Sequence, residues 1–201
     1  MSQPSLQTPS SSRAAARVRA LTPFIETSPC FSAGECARIV EEGKALPLAK
    51  GQFTAPERAP EARNSTIALF PPEPRHAWMI ERIAGVVNQI NREHWGFELV
   101  GSERLQFSAY GGGEYYDWHV DLGAHPPFSN RKVSVSIQLN DPSEYDGGAL
   151  EISVGTKNRI ASRDQGAVIL FPAYALHRVL PITRGTRYSL VAWIVGAQPF
   201  R

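Results

Sequence analysis

The chain has 201 residues, of which 42% are apolar, and its 21 basic and 19 acidic side chains give a formal net charge of +2. This length suits one domain, and this composition is that of a globular protein. A balance so close to neutral excludes a dedicated nucleic-acid module, which carries a clear basic excess. No apolar run approaches the roughly 18 residues needed to span a bilayer. Two cysteines, Cys30 and Cys36, are too few for a disulfide framework and indicate free thiols in a reducing, cytoplasmic compartment.

The first part of the chain divides into a tail and the start of an ordered domain. Residues 1–22 are rich in Ser, Gln and Ala and contain no acidic residue, which is typical of a disordered tail. The single domain is predicted over 23–201. It begins with a helical front over 32–96 and continues as a β-rich core over 98–196.

Two helices are predicted in the front half. Ser32 and Glu35 form a capping box, which starts a helix that ends near Leu46 because proline follows. Apolar residues recur at helical spacing from about Pro74 to Trp95, which predicts a second helix.

After Glu98 the pattern changes to short strand-like runs separated by turn residues. The runs are 103–110, 115–121, 132–140, 149–154, 167–172, 176–180 and 186–195. Several short strands at this spacing indicate a sandwich, jelly roll or barrel. The predicted fold class is therefore α+β, mainly β, with the N-terminal helices packed on an all-β body.

His119 and Asp121 form the first candidate for chemistry. On a strand, residues two apart point to the same face, so both side chains would reach one metal ion. A His-x-Asp sequence is weak evidence alone, and a hydrogen-bonded surface pair is the alternative.

His177 begins a later strand and supplies the second candidate. Strands distant in sequence face each other across a small barrel, so we expect His177 to complete a triad with His119 and Asp121. Two histidines and one carboxylate leave open coordination positions, which suits non-haem Fe(II) better than a closed structural zinc site.

Arg187, ten residues after His177, is the third candidate. We expect it on the adjoining strand and pointing inward, where a guanidinium needs an anionic partner. A salt-bridged or exposed arginine is the alternative. No Asp or Glu follows Asp164, so the last 37 residues hold Arg178, Arg184, Arg187 and Arg201 without a local carboxylate. That excess of cations predicts a site for a small acidic ligand.

Together these pieces resemble one family. The matching parts of the sequence are the motif Tyr110-x-x-Gly113-x-x-Tyr116-x-x-His119-x-Asp121, the segments 131–140 and 144–148, and His177 followed ten residues later by Arg187. The pattern resembles the Fe(II)/2-oxoglutarate dioxygenases, in their prolyl 4-hydroxylase-like, PKHD-type branch. The resemblance covers about residues 98–196 and implies a double-stranded β-helix, or jelly roll.

The resemblance also implies roles for individual residues. His119, Asp121 and His177 would be the iron ligands and, with Arg187, the catalytic set. Arg187 would pair with the distal carboxylate of 2-oxoglutarate. Tyr110 matches a tyrosine that hydrogen-bonds this co-substrate, and Ser134 matches a hydroxyl position on the facing strand. Trp193 matches an aromatic residue near the pocket, and a core tryptophan is the equal alternative.

The implied reaction is hydroxylation of an unactivated C–H bond with O2, releasing succinate and CO2. Ascorbate stays open as an additional cofactor. The resemblance favours a prolyl or other residue of a peptide or protein as substrate, and a free amino acid or small natural product stays open. Two other classes also stay open: a non-catalytic jelly-roll binding protein and a zinc hydrolase. The sequence leaves the oligomeric state undetermined.

The other chemistry-bearing residues receive plainer predictions. Loops 48–64 and 122–131 are predicted substrate lids, and His125 is predicted to shape the pocket rim without binding iron. His76 and His94 are predicted surface groups. Arg63 and Arg131 are predicted to be solvated charges, with contact to an acidic substrate as the alternative.

Overall fold

The structure is a computed structural model that describes residues 22–51 and 62–200. The predicted tail, apart from Thr22, and the middle of the 48–64 loop lie outside the described residues. Helix α1 spans Ala33–Ala45 and helix α2 spans Ala77–Ile90. A 3-10 turn precedes α2 and a π-helical turn, Asn91–Trp95, follows it, ending at Gly96 in the left-handed conformation.

Both predicted helices form where the sequence places them. The Ser32 hydroxyl accepts from the Glu35 amide, and the Glu35 carboxylate accepts from the Ser32 amide, so the capping box is present. The buried face of α2 carries Met79, Ile83 and Val87, which are spaced four residues apart.

Fifteen strands occur within the described ranges. They are β1 (Ile25–Glu26), β2 (Ala49–Lys50), β3 (Arg63–Asn64), β4 (Thr66–Leu69), β5 (Gly101–Ser102), β6 (Gln106–Tyr110), β7 (Tyr115–His119), β8 (Arg131–Gln138), β9 (Tyr145–Gly147), β10 (Leu150–Val154), β11 (Lys157–Ile160), β12 (Val168–Pro172), β13 (His177–Val179), β14 (Ile182–Gly185) and β15 (Arg187–Val195). Each of the seven predicted runs contains one of them. The strands that the sequence pattern missed have two to four residues, too few to show an alternation.

The strands form two main antiparallel sheets. The major sheet has the order β1-β12-β8-β15-β6-β4-β2, with β5 on the end of β15, and the minor sheet has the order β11-β10-β13-β7-β3. Side chains of both sheets meet in one apolar cluster, which includes Ile152 and Val179 from the minor sheet and Ile169 and Phe171 from the major sheet. This is the jelly-roll sandwich that the sequence predicted.

The outer face of the major sheet packs against the two helices. Phe107, Val135 and Leu190 point outward and join Cys36 and Ile83 in the larger apolar cluster. In β8, Val133, Val135 and Ile137 alternate with Ser134, Ser136 and Gln138, which is the spacing of a half-buried strand, but all eight of its residues are buried. The helices cover its apolar face, and the minor sheet covers the face that carries its serines.

Three further observations concern sequence predictions. Cys30 and Cys36 are free thiols. No helix in the described ranges is long and apolar enough to cross a membrane. His76 is not a surface group: it is buried, with Nδ1 2.9 Å from the Pro71 carbonyl oxygen and Nε2 3.1 Å from Glu42. It thereby ties α1 to the turn before α2.

Candidate active site

The two predicted histidine ligands lie on neighbouring strands of the minor sheet. His177 of β13 and His119 of β7 are direct Cα partners, so the expectation that they face each other across a barrel is wrong. Strand β7 ends at His119, so Asp121 is not on the strand but in the bend that follows. The Asp121 amide donates to the Ala173 carbonyl at 3.0 Å, which holds the bend against the end of β12.

The three side chains converge on one point. Asp121 Oδ1 lies 3.8 Å from His119 Nε2, and Asp121 Oδ2 lies 3.6 Å from His177 Nε2. All the potential ligand atoms lie within 4.8 Å of one another. That spread is close to twice a metal–ligand bond of about 2.0–2.2 Å, so one divalent ion fits among them.

Backbone carbonyls orient both imidazoles. His119 Nδ1 lies 2.7 Å from the Asp117 carbonyl oxygen, and His177 Nδ1 lies 2.9 Å from the Ala175 carbonyl oxygen. A carbonyl oxygen only accepts, so Nδ1 carries the proton and Nε2 presents its lone pair toward Asp121. This arrangement is the one that metal-binding histidines require.

The electrostatics favour the metal-binding protonation states. Burial, followed by the proximity of His177, holds the pKa of His119 far below its ordinary value, so its imidazole is neutral. Burial alone would raise the pKa of Asp121. His177, His119 and the Ser134 hydroxyl together outweigh burial and lower that pKa, so the carboxylate is ionised. A neutral histidine and an ionised aspartate are metal ligands without further proton loss.

Ser134 and Arg131 support Asp121 from strand β8. The Ser134 hydroxyl donates to Asp121 Oδ2 at 2.6 Å, and Arg131 Nη1 donates to the Asp121 carbonyl at 3.2 Å. Arg131 also forms a two-point ion pair with Glu103, at 2.6 and 2.7 Å, and its guanidinium lies over the Trp193 ring at 4.0 Å.

These contacts bear on two sequence predictions. Arg131 is 3% exposed and paired with Glu103, so it is not a solvated charge, and its contact with an acidic substrate stays a prediction. The Ser134 hydroxyl, predicted to bind the co-substrate, donates to Asp121, a candidate metal ligand, and its contact with the co-substrate stays a prediction.

Arg187 lies on the opposite sheet from the triad. It begins β15 in the major sheet, whereas His177 belongs to the minor sheet, so Arg187 is not on the adjoining strand. A cavity of about 700 Å³ between the sheets is lined by Arg187 and by all three triad residues. Arg187 is 1% exposed, and within the described part of the chain its side chain forms no ion pair with a carboxylate. Its Nε and Nη2 donate instead to Gln138 Oε1, at 3.2 and 2.9 Å.

The predicted cluster of cations near the C-terminus separates into paired and unpaired members. Arg178 pairs with Glu151 and Arg184 pairs with Asp146, each at 2.6 Å. Arg201 lies outside the described residues. Of the three described arginines in this cluster, Arg187 is therefore the one that stays a candidate for binding an acidic ligand.

The aromatic residues around the cavity follow from strand register. Tyr110 is the Cα partner of Arg187, is buried, and carries its ring 5.6 Å from the guanidinium. Trp193 lines the same cavity, and its indole Nε1 is buried without a hydrogen-bond partner among the described residues. Tyr116 stacks on the His119 imidazole with the ring centroids 3.4 Å apart.

The predicted lids contribute unequally to the cavity. Phe128 of the 122–131 loop lines it, whereas His125 is exposed and does not. Arg63, within the predicted 48–64 loop, is half-buried rather than solvated: it lines the cavity, donates to Ser65 at 2.8 Å and lies over the Tyr116 ring. Whether either loop closes over a substrate stays a prediction.

The sequence reasoning missed two residues of this region, Gln138 and Glu103. Gln138 follows Ser134 and Ser136 on the inner face of β8, so the two-residue alternation was a sufficient signal to find it. Glu103 is an isolated acid 28 positions from Arg131, and no local pattern connects the two.

Comparisons with known proteins agree with this geometry. Residues 105–195 match the family model described as the 2OG-Fe(II) oxygenase superfamily. A PKHD-type hydroxylase of Xanthomonas campestris pv. campestris is 29% identical over 172 residues, covering 80% of this chain and 73% of the relative. Another from Pseudoalteromonas atlantica is 38% identical over 94 residues, covering 44% of this chain and 41% of the relative.

Solved structures share the fold. A Pseudomonas putida prolyl-4-hydroxylase superposes with a TM-score of 0.66 at 21% identity, over 87% of this chain and 92% of that one. A Trichoplax adhaerens prolyl hydroxylase, in complex with a hypoxia inducible factor peptide fragment, superposes with a TM-score of 0.72 at 18% identity, over 86% and 83% of the two chains. Residues 105–195 of this chain therefore resemble the 2OG-Fe(II) oxygenase superfamily, and most of the chain is similar to the PKHD-type hydroxylases.

Proposed function

We propose that the protein hydroxylates a C–H bond of a prolyl or other residue in a peptide or protein, using Fe(II), 2-oxoglutarate and O2 and releasing succinate and CO2. The observation that carries the proposal is one cavity with two complementary ends. His119 and His177 lie on the minor sheet, with Asp121 in the bend after β7. Arg187, buried without a carboxylate partner among the described residues, lies on the major sheet. A group with a chelating end and an anionic end fits between them.

The donor set fits Fe(II). Two neutral imidazoles and one carboxylate are the ligands of non-haem iron oxygenases, and they leave open positions for other ligands. His119, Asp121 and His177 would hold the metal, which supplies O2 activation coupled to decarboxylation of the co-substrate. The protein's own contribution is to fix and shield this centre.

Arg187 would bind and orient the co-substrate. Its side chain is 1% exposed, and a charge-assisted bond to a carboxylate is strong in such a buried position. The Tyr110 hydroxyl lies on the neighbouring strand and would donate to the same carboxylate. Trp193 offers an unpaired N–H donor beside the cavity, so we assign it to ligand or substrate contact.

Asp121 is held in position by groups that do not react. Ser134 fixes one carboxylate oxygen, and Arg131 fixes the backbone carbonyl of the same residue. These bonds hold the carboxylate in place before the metal binds, so the site loses little conformational freedom on loading.

A peptide substrate is supported by the structural neighbours, one of which is a prolyl hydroxylase in complex with a peptide fragment. The cavity also extends past the triad along the inner face of the major sheet, where apolar Ile67, Leu69 and Val191 line it. A free amino acid or small natural product is the second substrate class. The free thiols Cys30 and Cys36 support a reducing compartment, and we propose the cytoplasm.

The test combines a spectroscopic and a chemical readout. Purified protein with Fe(II) and 2-oxoglutarate under anaerobic conditions should develop a metal-to-ligand charge-transfer band, and air should then give succinate. The His177→Ala variant should lose both, whereas the matched His125→Ala variant, which removes an exposed histidine six positions after His119, should keep both.

Three outcomes would contradict the proposal. If His177→Ala keeps the charge-transfer band and full turnover, the assignment of His119, Asp121 and His177 as metal ligands is wrong. Co-substrate binding without any succinate, across a panel of prolyl peptides and free amino acids, would indicate a non-catalytic binding protein. Tightly bound zinc with iron-independent hydrolysis would indicate a zinc hydrolase.

A further inference from the structure

The environment of Arg187 contains a feature that the proposed function does not explain. A guanidinium that is 1% exposed normally pairs with a carboxylate, because an isolated buried charge is costly. Here its hydrogen-bonding partner is the neutral amide oxygen of Gln138, which accepts from both Nε and Nη2.

Gln138 is itself fixed from two directions. Its amide Nε2 donates to the Ser162 carbonyl at 3.1 Å. That carbonyl only accepts, so a flipped amide would lose this bond and turn its donors toward the guanidinium. The Gln138 backbone is bonded on both sides as well: its N–H donates to Ala167 and its carbonyl accepts from Gly166. These bonds hold the Gln138 side chain with its amide oxygen directed at Arg187.

The contact uses one particular edge of the guanidinium. Nε and Nη2 form the side edge, and Gln138 occupies it with a single oxygen. One donor of Nη1 and the second donor of Nη2 form the end of the fork, and neither has a hydrogen-bond partner among the described residues, so both are available to a ligand. A planar fork held along its side can present its end to a carboxylate in a two-point contact.

We infer that Gln138 is a positioning residue that orients Arg187 without neutralising it, and that it thereby makes the cavity selective for a dicarboxylate co-substrate. This inference rests on the proposed function, because it assumes that Arg187 binds the distal carboxylate of 2-oxoglutarate. A glutamate at position 138 would have the same shape but would complete an internal ion pair and compete with that carboxylate.

The test compares two substitutions at one position. Gln138→Glu and Gln138→Leu both remove the bond to Ser162. Gln138→Glu keeps an acceptor oxygen for Arg187 and adds a negative charge, whereas Gln138→Leu removes the acceptor and adds no charge. Binding is measured by calorimetry on the Mn(II)-loaded protein, with 2-oxoglutarate and with 2-oxopentanoate, which has the same chain length but no distal carboxylate. The Arg187→Met variant serves as the reference for loss of the cation.

The expected results differ by ligand. Gln138→Glu should weaken 2-oxoglutarate binding by roughly 100-fold or more, since like charges placed together at a contact are strongly unfavourable. Gln138→Leu should weaken it about 3- to 10-fold, the loss expected from hydrogen bonds of ordinary strength. Binding of 2-oxopentanoate should be the same in both variants and in the unmodified protein, which a general structural defect would not allow.

The two levels of hypothesis fail in different ways. If the unmodified protein binds 2-oxoglutarate and Arg187→Met loses it, but Gln138→Glu binds as well as Gln138→Leu, the role of Gln138 is wrong and the proposed function stands. If the unmodified protein does not bind 2-oxoglutarate, the proposed function itself fails. Should Gln138→Glu not fold, unaltered 2-oxoglutarate binding by Gln138→Leu would still overturn the inference.

Discussion

Replacing Arg131 with methionine should destabilise the protein and loosen the metal site at the same time. Arg131 is 3% exposed and forms a two-point ion pair with Glu103, whose side chain is 23% exposed. The substitution keeps most of the side-chain volume but removes the ion pair, the bond to the Asp121 carbonyl and the contact with the Trp193 ring.

The size of the effect follows from these contacts. Removing one partner of a buried ion pair costs about 3–5 kcal/mol, and the partial exposure of Glu103 places this case at or below the lower end. The unsatisfied Asp121 carbonyl and the lost ring contact add about 1 kcal/mol each. We expect a loss of about 3–5 kcal/mol in the free energy of unfolding, which lowers Tm by roughly 6–20 °C for a domain of this size.

The assay is thermal unfolding of the metal-free protein, paired with Mn(II) titration. Arg184→Met is the matched control, because Arg184 and Asp146 also pair at 2.6 Å but both are more than half exposed, so Tm should not change measurably. Mn(II) should bind Arg131→Met about 10- to 100-fold more weakly, since residues that hold a ligand in place affect affinity by that amount. Equal Tm values for the two variants would refute this account of Arg131.

Other substitutions test the site and the fold separately. Ser134→Ala should weaken Mn(II) binding about 10- to 100-fold, measured by calorimetry, whereas Ser136→Ala on the same face should not. Gly166→Ala should prevent folding or lower Tm sharply, because φ is +82° and a Cβ would lie 1.9 Å from the Phe31 carbonyl oxygen. Gly85→Ala, in helix α2 with open space around it, should raise the free energy of unfolding by about 0.5–1 kcal/mol in denaturant titration. A stable Gly166→Ala or a destabilised Gly85→Ala would contradict the backbone assignments at these positions.

Sequence reasoning located the helices and the longer strands because their signals are local. The α1 capping box and the alternation of β8 involve residues within a few positions of one another. It did not find strands such as β3 and β5, which have two residues each and exist only because a neighbouring strand supplies their hydrogen bonds. It also misjudged His76, since the burial of that residue depends on a contact with Glu42 of the other helix.

At the candidate site, the sequence alone determined which residue types carry the chemistry. Spacing and residue identity were enough to select His119, Asp121, His177 and Arg187. Only the tertiary structure decided how they are arranged, because strand pairing makes His119 and His177 neighbours and places Arg187 on the opposite sheet.

Tertiary structure also decided which charges remain available. Glu151 and Asp146 neutralise Arg178 and Arg184 across strands, from 27 and 38 positions away. Arg187 receives Gln138, a neutral partner 49 positions away. Among the described residues, Arg187 is thus a buried cation without a carboxylate partner, and this is a result of sheet register, which no local sequence pattern encodes.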